Sequence, residues 1–174
     1  DTVLGAGSSA VPFAQSLTGL LPGTTYYFCA IVQNAEGTSF GPILSFTTLP
    51  AAPTANTGST TSRTGTTATL NGSGNPGGAA TTGWFRYSTP SPGTGNDTFG
   101  TRAPASGGSS LGLGNSTVSY SQGITGLTPG TTYYYCAITQ NSVGMSFGAI
   151  QSFTTPLPPT ASTSAASSLS STSA

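Results

Sequence analysis

Charge is what this chain most conspicuously lacks. Six of its 174 residues carry a formal charge, Asp1, Glu36 and Asp97 against Arg63, Arg86 and Arg102, and it has neither lysine nor histidine. An ordinary domain carries about 25% charged residues. Phosphate recognition needs clustered Lys and Arg, so nucleic acid is excluded as a partner. Without histidine no Ser-His-Asp or Cys-His arrangement can be assembled. Glu36 and Asp97 fall in different repeat units, which leaves no carboxylate pair for glycoside chemistry. One unit offers a metal only Asp97 and Cys136, too few ligands for a site. The run Gly72–Gly78 lacks the strand-to-helix setting of a phosphate loop. No apolar stretch approaches the roughly 18 residues of a membrane span. The expectation is a chain without catalysis, cofactor, metal or membrane span.

What the chain has instead is hydroxyl groups and a repeat. Ser and Thr make up a third of it, alongside 25 Gly and 13 Pro. With zero net charge, electrostatic repulsion does little for solubility. Such a surface holds water by hydrogen bonds, is masked by glycans or is buried against neighbours. Leu17–Thr48 and Ile124–Thr155 align without a gap at a spacing of 107 residues, identical at 23 of 32 positions. Cys29 maps onto Cys136 and Phe46 onto Phe153. A period this long marks an array of modules.

The register of the repeat sets the boundaries. Pro53-Thr-Ala recurs as Pro159-Thr-Ala after a Phe-Thr-Thr and a proline-containing joint. One complete module therefore runs over residues 50–155. Residues 1–49 match only its later part, from about Gly108 onward, and residues 156–174 only its opening, up to Ala68. The expectation is that 1–49 are the closing strands of one module and 156–174 a linker with the first strand of another. The whole then reads as a window on a longer array. Three or so strands cannot bury a core on both faces, so 1–49 need strands from upstream or from a neighbouring copy.

The secondary structure reads as β throughout. The segment Thr131–Asn141 alternates aromatic or β-branched residues with small ones between Gly and Pro clusters, and no useful stretch has a 3.6-residue period. Strands are expected near 53–57, 66–71, 82–88, 97–102, 117–125, 131–141 and 146–155, with loops at 72–80 and 88–96. Seven short strands in this length argue for a sandwich.

The run Leu127-Thr-Pro-Gly-Thr-Thr-Tyr133, followed by alternating strand residues and then Asn and Gly, resembles strands E to G of fibronectin type III-like modules. The stretch Ala68–Thr89 resembles the opening of a bacterial variant found in tandem on secreted and surface proteins. The resemblance covers 50–155, and 1–49 in part. It implies an all-β chain of tandem fibronectin type III-like antiparallel β-sandwich modules. It also implies that Tyr133 and Tyr26 are tyrosine-corner residues, their hydroxyls bonded to backbone upstream. Such a fold hosts many roles and does not itself specify one.

Side chains alternate across a strand, so an inward Tyr133 places Tyr135, Ala137 and Thr139 inward and Tyr134, Cys136 and Ile138 outward. The resemblance puts Phe85 and Tyr87 inward on the adjacent strand, leaving Trp84 and Arg86 outside, and implies a basic residue where Cys136 stands. The outer face is thus expected to gather Trp84, Arg86, Tyr134, Cys136 and Ile138, with Tyr27, Cys29 and Ile31 as first-copy counterparts. Exposed apolar patches mark interfaces, and aromatics with Arg are enriched at their centres. The expectation is that a neighbouring module or chain covers this face, with Trp84 near its centre.

One cysteine per module allows no disulfide inside it. Equivalent sites in successive modules lie about 30–35 Å apart, far beyond the ~5.5 Å Cα spacing of a disulfide. Cys29 and Cys136 are therefore left to pair with another chain in an oxidising setting or to remain half-buried thiols. Three Asn-x-Ser/Thr tripeptides, at Asn71, Asn96 and Asn115, are candidate glycosylation sites. The joint from Thr160 onward could carry O-linked sugar. Together these features suggest an extracellular structural protein self-associating as a homopolymer, its modules stacked into a surface filament, stalk or sheath. The alternatives are a spacer array in a secreted polysaccharide-degrading enzyme and an adhesin that binds carbohydrate by stacking on Trp84.

Overall fold

The computed structural model describes residues 2–165 and 171. Among these there is no helix, and none long and apolar enough to cross a membrane. The first copy of the repeat contributes β1 (Thr25–Phe28), β2 (Ile31–Asn34), β3 (Gly37–Phe40) and β4 (Leu44–Thr47). The remainder contributes β5 (Asn56–Thr61), β6 (Thr67–Gly74), β7 (Thr81–Ser88), β8 (Thr101–Ala103), β9 (Ser109–Gly112), β10 (Val118–Thr125), β11 (Thr132–Gln140), β12 (Met145–Phe147) and β13 (Gln151–Thr154).

Residues 56–154 make two antiparallel sheets. One has the order β10-β6-β5. The other runs β12-β11-β7-β8, with β13 also on β11 and β9 also on β7. Their inward faces alternate as β geometry requires: β6 buries Ala68 and Leu70, with Gly72 and Gly74 between the layers, and β11 buries Tyr133, Tyr135 and Ala137. Phe85, Tyr120, Ile124, Leu127 and Phe153 complete this core. Leu70, Phe85 and Tyr135 are essentially sealed from water, each worth about 1.5–3 kcal/mol by apolar burial. Two sheets in this strand order are the architecture of fibronectin-type and immunoglobulin-like sandwiches.

Three expected strands come out differently. The strand expected at 97–102 forms only over Thr101–Ala103, because Asp97 is drawn into a loop by two side chains on β7. The run 146–155 is split in two, since Gly148 turns its N–H to the Ala137 carbonyl at 2.8 Å between β12 and β13. The strand expected at 53–57 starts later and runs to Thr61. β9, at Ser109–Gly112, has no alternating apolar pattern that would mark it as a strand. Residues 156–165 form no strand, and the remainder of the expected opening strand falls mostly outside the described residues.

In the first copy the strands pair only among themselves, β1 with β4 and β2 with β3. Their register duplicates the second copy: Tyr26↔Phe46 matches Tyr133↔Phe153, and Ile31↔Phe40 matches Ile138↔Phe147. Among the described residues, none stands where β6 and β7 stand in the second copy. Phe13, Leu17, Phe28 and Phe46 are consequently exposed, whereas their counterparts Tyr120, Ile124, Tyr135 and Phe153 are buried.

Candidate interaction surfaces

The P-G-T-T-Y corner is built identically in both copies, which shows that it is a local structure. The Tyr133 hydroxyl accepts the Thr128 N–H at 3.0 Å, and the Tyr26 hydroxyl accepts the Leu21 N–H at 2.8 Å. Thr155 locks the corner by accepting from Thr131 N–H at 3.0 Å and donating to the Thr128 carbonyl at 2.6 Å. Thr48 does the same with Thr24 and Leu21, at 2.9 and 2.6 Å.

The sheet face that gathers Trp84, Arg86, Tyr134, Cys136 and Ile138 exists, and the parity argument places each residue on it. The face is not open, however. Trp84, Cys136 and Ile138 are 4%, 0% and 0% exposed and form a second small core with Phe99, Met145 and Ile150. Its cover is the chain itself, the loop of residues 89–100 between β7 and β8. Asp97 pins that loop: one carboxylate oxygen accepts the Trp84 indole N–H at 2.9 Å and the Arg86 Nε–H at 2.8 Å. Arg86 Nη1 also donates to the Phe99 carbonyl at 3.3 Å. The Arg102 guanidinium lies 4.7 Å from the Trp84 ring centre, a cation–π contact.

These contacts correct three expectations. An assembly contact centred on Trp84 or Cys136 is closed off, because residues 89–100 already occupy the place of a neighbour. Carbohydrate stacking on Trp84 is closed off too, with the indole N–H and the ring both engaged. Cys136 is a buried free thiol, so pairing it with another chain would require opening the loop. In sequence the loop reads only as a Gly/Pro/Asn connection. The signal that could have identified it was Asp97, a lone acid among uncharged residues and within reach of two neighbours with N–H groups to offer.

Burial is the main influence on the ionisation of these groups. It pushes the Cys136 thiol up to about 11, with the Asp97 carboxylate adding to the rise. For Asp97 burial also favours the neutral acid, but the hydrogen bonds from Arg86 and Trp84 and the charges of Arg86 and Arg102 outweigh it. The carboxyl is held below its ordinary 3.8.

In the first copy the counterparts Tyr27, Cys29 and Ile31 are exposed, and Cys29 is a free thiol. The three candidate glycosylation asparagines fare differently. Asn71 donates its amide to the Ser59 carbonyl at 2.7 Å and to Thr61 Oγ1 at 3.1 Å, so a glycan there would displace a link between β6 and β5. Asn115 is engaged across the joint between the two copies. Asn96 caps its own turn, its Oδ1 accepting the N–H groups of Thr98 and Phe99.

That joint is the second surface. β6 and β10 run antiparallel, Val118 opposite Gly74 and Thr125 opposite Thr67. The loops 75–80 and 113–117 therefore lie at one end of the sandwich, and the corner at 126–131 lies at the other. At the first end, Asn115 Nδ2 donates to the Pro22 carbonyl at 2.8 Å, and Gly78 packs on the Pro22–Gly23 peptide. A Cβ on Gly78 would stand 2.7 Å from the Gly23 nitrogen, and its φ of +80° is costly for any other residue. Asn75 buttresses this end through its Nδ2 to the Asn115 carbonyl at 2.7 Å. Asn141 Nδ2 ties the linker by donating to the Ala51 carbonyl at 2.8 Å. The partner surface, Pro22-Gly23-Thr24, has its copy in Pro129-Gly130-Thr131 at the opposite end of the sandwich, with positive φ at both glycines, +56° and +66°.

No protein-family model matches the chain, and no curated protein matches it. Among solved structures it is similar to the sensor domain of the anti-sigma factor RsgI4 from Pseudobacteroides cellulosolvens, at 20% identity and a TM-score of 0.42, covering 64% of this chain and 97% of that one. It is similar to domains d3–d4 of the rat CD45 extracellular region at 13% identity and a TM-score of 0.45, covering 89% and 75%. A third likeness is to the chicken CNTN1 FN1–FN3 domains, at 14% identity and a TM-score of 0.38, covering 79% and 43%. At these scores they carry no weight for function. The sandwich architecture rests on the chain's own strand order.

Proposed function

We propose that this chain is a non-catalytic structural repeat protein of the extracellular space, whose tandem sandwich modules stack end to end into a filament, stalk or sheath. The joint between the copies is the observation that supports this reading. One end of the sandwich carries Gly78 and Asn115, which grip a Pro-Gly-Thr corner, and the other end carries the same corner. A surface that fits its own opposite end is a heterologous, head-to-tail contact, and such contacts propagate into open polymers. Near-zero charge removes the repulsion that would oppose close packing. Glu36 and Asp97 serve a turn-adjacent position and a loop pin, and Cys136 is sealed. Cys29, exposed, is the thiol available for pairing between chains in an oxidising setting, and Asn96 is the glycosylation candidate whose modification would break neither the β5–β6 link made by Asn71 nor the joint spanned by Asn115. Electron microscopy of the purified protein tests the reading: regular filaments with an axial spacing of about 30–35 Å per module are expected. Dispersed particles at every concentration would sink it.

A further inference from the structure

Of the five charged side chains among the described residues, Arg86, Asp97 and Arg102 all serve the Trp84 cluster. The other two, Arg63 and Glu36, are exposed and join no ion pair among the described residues. They have opposite signs and stand at the two ends that meet in a head-to-tail joint. Arg63 lies in the turn of residues 62–66 between β5 and β6, at the corner end of the sandwich, where the Leu127 N–H donates to the Thr66 carbonyl at 3.0 Å. Glu36 lies at the tip of the β2–β3 turn, its N–H held by Asn34 Oδ1 at 3.0 Å. The second copy of that turn, residues 141–144, is at the joint end, with Asn141 Nδ2 donating to the Pro76 carbonyl at 2.9 Å.

The linker brings these two turns together. A Cβ on Gly65 would meet the Pro156 carbonyl oxygen at 3.3 Å and the Pro129 ring at 3.4 Å, so the 62–66 turn flanks the chain as it leaves the sandwich. On the entry side, Asn141 holds the Ala51 carbonyl at 2.8 Å, and a Cβ on Gly144 would touch Ala52. In the 107-residue period Pro156 corresponds to Leu49, two residues before Ala51, a span of at most ~7 Å. The sequence varies at the same two places. Where the first copy has Glu36 the second has Val143, and where residues 50–155 have Arg63 the next opening has Leu169.

We infer that the modules meet through two kinds of joint, and that Arg63 marks the ionic kind, facing an acid at the Glu36 position of the module that follows. In the other kind a Leu169-type residue faces a Val143-type one. The inference rests on the end-to-end stacking proposed above and adds what selects each neighbour. One exposed ion pair contributes little affinity. Complementary charge instead chooses the partner, because a mismatched joint sets a charge against an apolar side chain or against its own sign.

The absence of lysine from the chain gives a direct test. The full chain is lengthened by a further copy of residues 49–155 placed after Thr155, so that the Arg63 end meets a following module within one molecule. The inserted copy carries Val143→Glu, and the resident module carries Arg63→Lys, the one side-chain amine present. A water-soluble carbodiimide then joins that amine to whichever carboxylate touches it, and the product is mapped by mass spectrometry. The expected amide links position 63 to position 143 of the inserted copy, at least tenfold more abundant than any link from position 63 to Glu36 or to Asp97 of either copy. Equal yields over these carboxylates, or no amide at position 143, overturns the inference. The joint tested is internal to one chain, so a negative result leaves the filament reading standing, and dispersed particles in the microscope leave this result unaffected.

Discussion

Asp97 does the work that its rarity suggests. It is one of three acids in the chain, and it joins the indole and guanidinium of β7 to the loop that seals Cys136. Two outcomes follow. A thiol reagent at neutral pH should label Cys29 at once and Cys136 only after unfolding, counted as one rather than two fast thiols per chain. Asp97→Ala should convert Cys136 to a reacting thiol in the native state, and a slow Cys136 in that variant would show that the loop holds without its pin. The pH dependence follows from the lowered carboxyl. A depressed folded-state value means that the stabilisation is complete above the ordinary 3.8 and is lost as pH falls through the lower folded value. Trp84 is the single tryptophan, so its emission should shift to the red with a midpoint below 3.8. A midpoint above 3.8 contradicts the account.

At the scale of elements, pairing decides which sequences become strands. The alternation in 131–141 and the P-G-T-T-Y corner were legible because both are local: one follows from side-chain parity, the other from bonds within a few residues. Residues 11–18 show the limit of such reading, since nearly the same pattern is a strand in one copy and irregular in the other for want of a partner. The loop of residues 89–100 lay beyond reach for a related reason. Its Gly, Pro and Asn content marks a connection, but its packing on Cys136 is a long-range contact with no periodic signature. Parity correctly assigned Trp84, Cys136 and Ile138 to one face and could not say what covers it. Phe85→Ala, at a fully buried position beside Tyr120, should cost about 3–5 kcal/mol in denaturant unfolding. Tyr133→Phe removes only the corner hydrogen bond and should cost about 1 kcal/mol. Near-equal losses would mean that the corner, rather than the core, organises the sandwich.

At the scale of the whole molecule, the account turns on whether the joint between the copies is rigid. The contact is backbone against backbone at Gly78 and Pro22–Gly23, with one asparagine amide spanning it. Close approach of this kind leaves no room for a swivel, and proline in the linker at Pro50 restricts it further. Asn115→Ala should therefore loosen the joint while leaving the unfolding of residues 50–155 within about 1 kcal/mol of wild type for the part-buried asparagine bond, whereas Gly78→Ala should loosen the joint and also strain its own loop at a φ of +80°. Residual dipolar couplings, measured on the amides of Thr25–Phe28 and Leu44–Thr47 and on those of Thr67–Gly74 and Thr132–Gln140, test the claim most directly. The account predicts one shared alignment tensor in the wild-type chain and two in Gly78→Ala, and independent tensors already in the wild type would contradict it.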